Sequence, residues 1–316
     1  MEHRSLGASG LRVSLVGLGC NNFGQRIDMA ASRAVLHRAL DLGVTLLDTA
    51  DTYRSAGGSS EEVLGELLGA RRKDIVLASK FGNPMDQEGR LRGASRRYMM
   101  SAVEASLRRL KTDWIDLYQL HRPDPLTPVE ETLRAFDDLV RQGKVRYIGC
   151  SNFAAWQAVE ARWTSRHLGL APFVSCQNEY SLLARRLDAE LLPAMQAYGM
   201  GLLPYYPLAS GLLTGKYRRN TPMPDGARLT VHVARYAGRF INDDNWPVVE
   251  ALEAFAEARG RTLLELAFSW LAARPCVSSV IAGATRPEQV EANVTAVGWA
   301  LSGEEMAEVD RITRRG

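Results

Sequence analysis

The sequence predicts an α/β protein built as a closed barrel of eight parallel strands interleaved with helices. Three observations lead there. First, short apolar runs alternate with longer segments of helical periodicity along all 316 residues, and eight such runs fit either a doubly wound open sheet or a barrel. Second, the first run leads into Gly17-Leu18-Gly19-Cys20-Asn21-Asn22, which lacks the third glycine of the G-x-G-x-x-G turn of an open dinucleotide-binding sheet. Third, no Pro/Gly/Ser-rich linker divides the chain near its middle, so residues 1–316 read as a single domain.

The elements follow in order. LRVSLVGLG reads as the first strand, and SLGASGLRV, with glycine at its tip, as an N-terminal β-hairpin covering the barrel floor. Further strands are expected at TLLDTA, DIVLASK, WIDLYQLH, VRYIGCSN, FVSCQNEY, GLLPYYP and SSVIAG. Helix starts are signalled by Ser59 to Glu62, by Thr127-Pro128-Val129-Glu130 and by Thr262 to Glu265, each with a capping-box pattern. Gly43, Gly143 and Gly199 stand where helices should stop before the next strand. Ser302 to Gly316 reads as a capped C-terminal helix. Arg218 to Trp246, with Pro222, Pro224, Gly226 and Gly238, is the least regular stretch and reads as a functional or mobile loop, in part helical.

The bulk numbers exclude several classes. Lys and Arg total 39 against 36 acids, a formal charge of +3 without a basic stripe carrying interleaved aromatics, so nucleic acid is not the expected partner. Arg71-Arg72-Lys73 and Arg314-Arg315 read as solvated helix ends. Cys20, Cys150, Cys176 and Cys276 form no CxxC pair and read as buried free thiols of a reducing compartment, with no metal-ligand spacing. MEHRSLGASG lacks the apolar core of a secretion signal, and no apolar run reaches membrane-span length, so a soluble cytoplasmic protein is expected.

In a parallel barrel all strand C-termini open on one face, and chemistry gathers there. Here the strand ends deliver Asp48 (with Tyr53 just beyond), Lys80, His121, Ser151-Asn152, Gln177-Asn178, Tyr205-Tyr206 and Gly283-Ala284-Thr285-Arg286. Taken singly, each has a plain reading. A strand-end lysine is usually a solvated tip. His121 can fix a turn, Tyr53 can pack with its hydroxyl in water, and Asp48 can cap. His37, His167 and His232 offer nothing beyond such readings. The combination says more. A tyrosine titrates near about 10, and a neighbouring ammonium is expected to lower that value. A carboxylate at Asp48 would keep Lys80 charged and aimed, and His121 would share a proton or orient a polar substrate atom. Such a group handles a proton at oxygen and is not a nucleophile, which makes hydride transfer to a carbonyl the leading reaction. A metal-dependent hydrolase or isomerase using Asp48, Asp51 and His121 is the weaker reading, because Lys80 and Tyr53 add nothing to it.

The motifs GLGCNNFG, DTADTY with the following SEEVLGELL, VLASK, DLYQLHRPD, GKVRYIGCSNF, QNEYSLL, YYPLASGLLTGKY and VIAGATRPEQVEAN occur in order. From about Leu6 to Asn293 they resemble the aldo-keto reductases, nearer the bacterial and potassium-channel β-subunit branch. The resemblance implies a (β/α)8 TIM barrel with an N-terminal β-hairpin and a C-terminal helix, which binds a nicotinamide cofactor without a Rossmann fold and reduces a small-molecule carbonyl substrate. It implies that Asp48, Tyr53, Lys80 and His121 are the catalytic four, with Tyr53 as general acid. Ser151, Asn152 and Gln177 would hold the nicotinamide carboxamide, and Tyr205 would stack on its ring. Gly19, Cys20, Asn21, Asp48 and Tyr206 would border the cofactor. Pro207, Leu208, Ala209, Lys216 and Arg228 would strap the pyrophosphate, and Gly283, Thr285, Arg286, Gln289 and Asn293 would meet the adenosine end.

The helix start at Thr285-Arg286-Pro287-Glu288, with Arg286 beside it, favours NADP(H) over NAD(H). The chain departs from the family at Gly283-Ala284 (often Lys-Ser), Gln289 (often Arg), Ala292 (Glu), Cys20-Asn21 (Thr-Trp or Thr-Met) and Tyr206 (Ser). The short C-terminal segment implies an open pocket of modest selectivity. The alternative function is a cofactor-binding accessory or redox-sensing subunit with little turnover. Oligomeric state stays open.

Overall fold

The chain begins with an antiparallel pair, β1 (His3–Ser5) and β2 (Arg12–Ser14). The computed structural model describes residues 1–55, 58–231 and 238–314, Val231 by its backbone alone; His232 and Arg315 lie outside them. Leu6 and Val13 from the hairpin enter one apolar cluster with Leu46, Val76, Ala78, Leu117, Leu203 and Ile281, so the hairpin plugs the barrel floor as expected. Gly7 makes this seating possible. Its φ is +58°, and a Cβ there would lie 2.6 Å from the Gly199 and Val174 carbonyl oxygens.

LRVSLVGLG is not one strand. Arg12–Ser14 belongs to the hairpin, and only β3 (Val16–Gly19) joins the barrel. The break falls at Ser14, whose hydroxyl donates to the Val16 carbonyl and accepts from the Thr45 N–H, both within 2.9 Å. The other strands are β4 (Leu46–Asp48), the antiparallel pair β5 (Arg54–Ser55) and β6 (Gly58–Ser59), β7 (Val76–Phe81), β8 (Ile115–Leu120), β9 (Val145–Ser151), β10 (Phe173–Gln177), β11 (Gly201–Leu202) and β12 (Val280–Gly283). Eight of them form one parallel sheet in the order β11-β10-β9-β8-β7-β4-β3-β12. The Leu202 N–H donates to the Cys276 carbonyl (2.6 Å) and the Ser278 N–H to the Leu202 carbonyl (3.0 Å), which brings the two ends of the sheet together in the (β/α)8 arrangement. β11 is much shorter than GLLPYYP because Pro204 and Pro207 have no N–H to give a ladder.

The helices are α1 (Met29–Asp41), α2 (Ser60–Leu68), α3 (Arg96–Leu110), α4 (Val129–Arg141), α5 (Ala155–Leu168), α6 (Leu191–Tyr198), α7 (Arg228–Val231), α8 (Gly238–Phe240), α9 (Trp246–Glu257), α10 (Leu263–Ala272), α11 (Pro287–Thr295) and α12 (Gly303–Thr313). Their apolar faces pack on the outside of the sheet in the main core, which includes Leu36, Met99, Phe136, Phe173 and Trp270. Gly43, Gly143 and Gly199 all take positive φ where the helices stop. Capping boxes form at Thr262–Glu265 and Ser302–Glu305.

Four local expectations are not met. At α2 the Glu62 N–H donates to the Ser59 hydroxyl, but the reciprocal half of the capping box does not form. The Thr127 hydroxyl donates to the Asp124 carboxylate (2.7 Å), which also collects the Ala94 and Leu126 N–H groups, and α4 starts one residue later than expected, with Pro128 at the cap position and no side-chain cap. At α11 the Gln289 amide oxygen, not Glu288, accepts from the Thr285 N–H (2.8 Å). Within Arg71-Arg72-Lys73, Arg72 is buried. It pairs with Asp116 (2.8 Å) and lies over the Trp114 ring, because a guanidinium can satisfy a carboxylate and an aromatic face together. The four cysteines are buried and free. Among the described residues no helix is long and apolar enough to cross a membrane.

Candidate functional site

β4 pairs with β7 in the register Asp48↔Ala78, and Lys80 lies two residues further along on the face of Ala78, which points into the barrel. The Lys80 ammonium therefore reaches the Asp48 carboxylate (2.7 Å), the Thr49 carbonyl (2.8 Å) and, at 3.4 Å, the Tyr53 hydroxyl. The loop after β4 runs alongside β7. The Thr49 N–H donates to the Ala78 carbonyl and the Asp51 N–H to the Lys80 carbonyl, which holds Tyr53 above the lysine. His121, just after β8, donates its backbone N–H to the Phe81 carbonyl (2.8 Å), and its ring meets Tyr53 edge-on, 6.0 Å between centroids. The four residues expected at the strand ends thus share one mouth.

The second Asp48 oxygen accepts from Gln177 (2.8 Å) and Gln119 (3.5 Å). Gln119 escaped the sequence reading. Its signal was a lone polar residue at an inward position of an apolar strand, opposite Lys80 in the ladder.

Charge at this mouth is set by burial against neighbours. Burial opposes the charge of Lys80, yet Asp48 and Tyr53 outweigh it and its pKa lies above the ordinary value. For Tyr53 the balance is the reverse of the expectation. Burial raises its pKa, Lys80 lowers it, Asp48 raises it again, and the result stands above about 10, so the free phenol is not acidified. His121 is pushed down to about 3 by burial, then by Lys80 and Arg122, and is a neutral imidazole at pH 7. Its Nδ1 is buried without a partner.

Asp51 of the same loop turns away from the mouth. Both its carboxyl oxygens are buried and unpartnered, and burial followed by the Glu61 charge pushes its pKa up to about 8. Glu61 is itself buried, tied to the Ser79 hydroxyl (2.5 Å) and to Arg109. Among the described residues no three His, Cys, Asp or Glu side chains gather as a metal site.

Ser151, Asn152, Gln177 and Tyr205 form one hydrogen-bonded set beside the four. The Ser151 hydroxyl donates to the Gln177 carbonyl (2.7 Å). The Asn152 amide donates to the His121 carbonyl (3.0 Å) and accepts from the Tyr205 hydroxyl (2.7 Å). Gly19 and Gly283 are partners in the β3–β12 ladder, and a Cβ on Gly283 would lie 3.2 Å from Asn22 and 3.3 Å from Asn21. The Cys20 thiol is fully buried against the Leu18 carbonyl, on the outer face of the sheet, and burial raises its pKa strongly.

After β11, Tyr206, Ala209 and Ser210 all have positive φ, with Pro207 and Leu208 between them, and Gly211 continues the run. The Ser210 hydroxyl is buried without a partner. Lys216 follows, exposed at its surface. Its charge is disfavoured by burial and by Arg26, Arg286 and Arg228 around it. Arg228 also donates to Asn22 (3.0 Å), whose amide nitrogen holds the Ala284 carbonyl. Thr285 and Gln289 bond to each other, and Asn293 is buried on α11. Asn22, Arg26 and Ser210 were not singled out from the sequence, because no local pattern marks them.

Residues 15–314 match the model of the Aldo/keto reductase family. The chain is 38% identical over 304 residues to a probable voltage-gated potassium channel subunit beta of Arabidopsis thaliana, covering 94% of this chain and 91% of that protein. It is 34% identical over 319 residues to the L-glyceraldehyde 3-phosphate reductase of Escherichia coli (strain K12), covering 98% and 92%. An uncharacterized oxidoreductase, YrpG, of Bacillus subtilis (strain 168) is 34% identical over 313 residues, covering 96% and 93%. The chain belongs to the aldo/keto reductase family and is an oxidoreductase by class.

Proposed function

We propose that the protein reduces aldehydes or ketones to alcohols with NADPH, Tyr53 giving the proton. The observation that carries this reading is the buried Lys80 ammonium, held between the Asp48 carboxylate and the Tyr53 hydroxyl. Tyr53 keeps its proton at neutral pH and so holds what the alkoxide needs. The phenolate left after transfer faces Lys80, which Asp48 keeps charged. His121, neutral, offers a donor to the carbonyl oxygen without competing as an acid.

The residues around the mouth fit a nicotinamide dinucleotide. Lys216, Arg228, Arg286 and Arg26 cluster beside the orphaned Ser210 hydroxyl and a left-handed backbone run of the kind that cups anions. Those cations would hold the phosphates, with Arg286 favouring a 2′-phosphate, hence NADP(H) over NAD(H). Ser151, Asn152 and Gln177 would border the nicotinamide, and Tyr205 would stack on it. When bound, the dinucleotide supplies a hydride.

The test is NADPH consumption on 4-nitrobenzaldehyde, with NADH alongside. Tyr53→Phe is expected to lose about 100-fold or more in turnover, with NADPH affinity nearly intact. A mutant as fast as wild type removes Tyr53 from the role. The similarity to a probable channel β-subunit favours a second reading, an accessory subunit with slow turnover. Co-purification with a membrane protein, together with very slow turnover on a carbonyl panel, would select it.

A further inference from the structure

Cations also approach the mouth from the side away from Lys216 and Arg286. Arg286 follows β12, whereas Arg122 follows β8, which is diametrically opposite β12 in the closed order of strands. Arg122 comes directly after His121, Arg186 lies in the helical turn Arg186–Asp188 beyond β10, and Arg239 lies in α8. All three act on one group, the Tyr205 phenol. Burial and Glu179 push its pKa up, and Arg122, Arg186 and Arg239 pull it down. Arg239 is paired with Glu179, whose backbone bridges to Tyr205. Arg122 and Arg186 are both exposed and have neither an acid nor a hydrogen-bond partner among the described residues.

Tyr205 is tied through Asn152 to the His121 carbonyl. Arg122 and Arg186 therefore belong to the segments that follow β8 and β10, on the C-terminal rim of the barrel to which His121 and Tyr205 also belong and from which a carbonyl gripped by Tyr53 and His121 would extend its remaining atoms. An exposed guanidinium with nothing to bind contributes little by itself. Its planar fork matches a carboxylate or a phosphate, and the match strengthens where a bound substrate displaces water.

We propose that the physiological carbonyl substrate carries an anionic oxygen group, which Arg122 and Arg186 receive across the mouth from the dinucleotide phosphates. This rests on the carbonyl-reductase reading and narrows it to carboxylated or phosphorylated aldehydes and ketones. Neutral carbonyls would be turned over with higher KM.

The experiment compares kcat/KM for 4-carboxybenzaldehyde, 4-formylphenyl phosphate and 4-nitrobenzaldehyde in wild type, Arg122→Gln, Arg186→Gln and the double variant. The ratio of anionic to neutral kcat/KM is expected to fall about tenfold or more in the double variant, chiefly through KM, and added salt to erode the wild-type ratio. The two anionic arms separate carboxylate from phosphate. An unchanged ratio overturns the proposal, as does an equal loss on all three aldehydes, which is the mark of a structural role. Absence of turnover on every aldehyde would sink the reductase reading by itself. Calorimetric titration of terephthalate into wild type and the double variant then decides the anion seat: weaker binding to the variant upholds it, and equal binding overturns it.

Discussion

The Lys80 ammonium stands 2.7 Å from the Asp48 carboxylate, with none of its side chain exposed to solvent. Removing one partner of such a pair leaves the other charged, dry and alone. Lys80→Met is expected to cost about 3–5 kcal/mol of folding stability, and adding Asp48→Asn to recover part of that loss. Urea denaturation of Lys80→Met, Asp48→Asn and the double variant reads the coupling. Single-variant costs that simply add in the double variant would show that the pair is not coupled.

Asp51 links stability to pH. Its folded-state pKa, about 8, lies above the unfolded value. Between about pH 4 and 8 the folded protein holds a proton that the unfolded chain has released, so stability falls as pH rises through that window. Asp51→Asn stays neutral throughout. The melting temperature of the variant relative to wild type should therefore climb between about pH 5 and pH 9, by an amount on the order of a few kcal/mol in stability. A difference constant with pH would place the titration elsewhere.

The pH dependence of turnover follows from Tyr53 and His121. His121 titrates near 3, so no acid limb from it is expected near its ordinary value. Tyr53 must be protonated to give its proton, and its pKa is raised, so reduction should decline only in the alkaline range above about 10. A limb close to neutrality that disappears in His121→Gln would contradict this.

Arg286 carries the cofactor preference. It acts on Lys216 within the cation cluster and lies just before α11. Arg286→Ala is expected to weaken NADPH binding about tenfold while changing NADH binding much less. Fluorescence titration of both nucleotides measures the ratio, and equal losses for the two would move the 2′-phosphate contact to another residue.

The amino-acid order alone was enough for the architecture and for the rim. Strand alternation and glycine stops act within a few residues, so they survive without a third dimension. Asp48, Tyr53, Lys80 and His121 stood out because a parallel barrel turns every strand end to the same side. The three-dimensional packing decided the rest. Whether Ser14 continues a strand depends on its bonds to Val16 and Thr45. Thr127 stands one residue short of the Pro128 cap of α4, in the turn its hydroxyl makes by donating to Asp124. Gln119 and Asn22 became structural ties only through Asp48 and Arg228. The Tyr53 phenol rose where proximity to Lys80 alone foretold a fall. Proximity is a pairwise property that spacing can announce. Desolvation sums over every atom that distant segments bring around a group, and only the folded chain performs that sum.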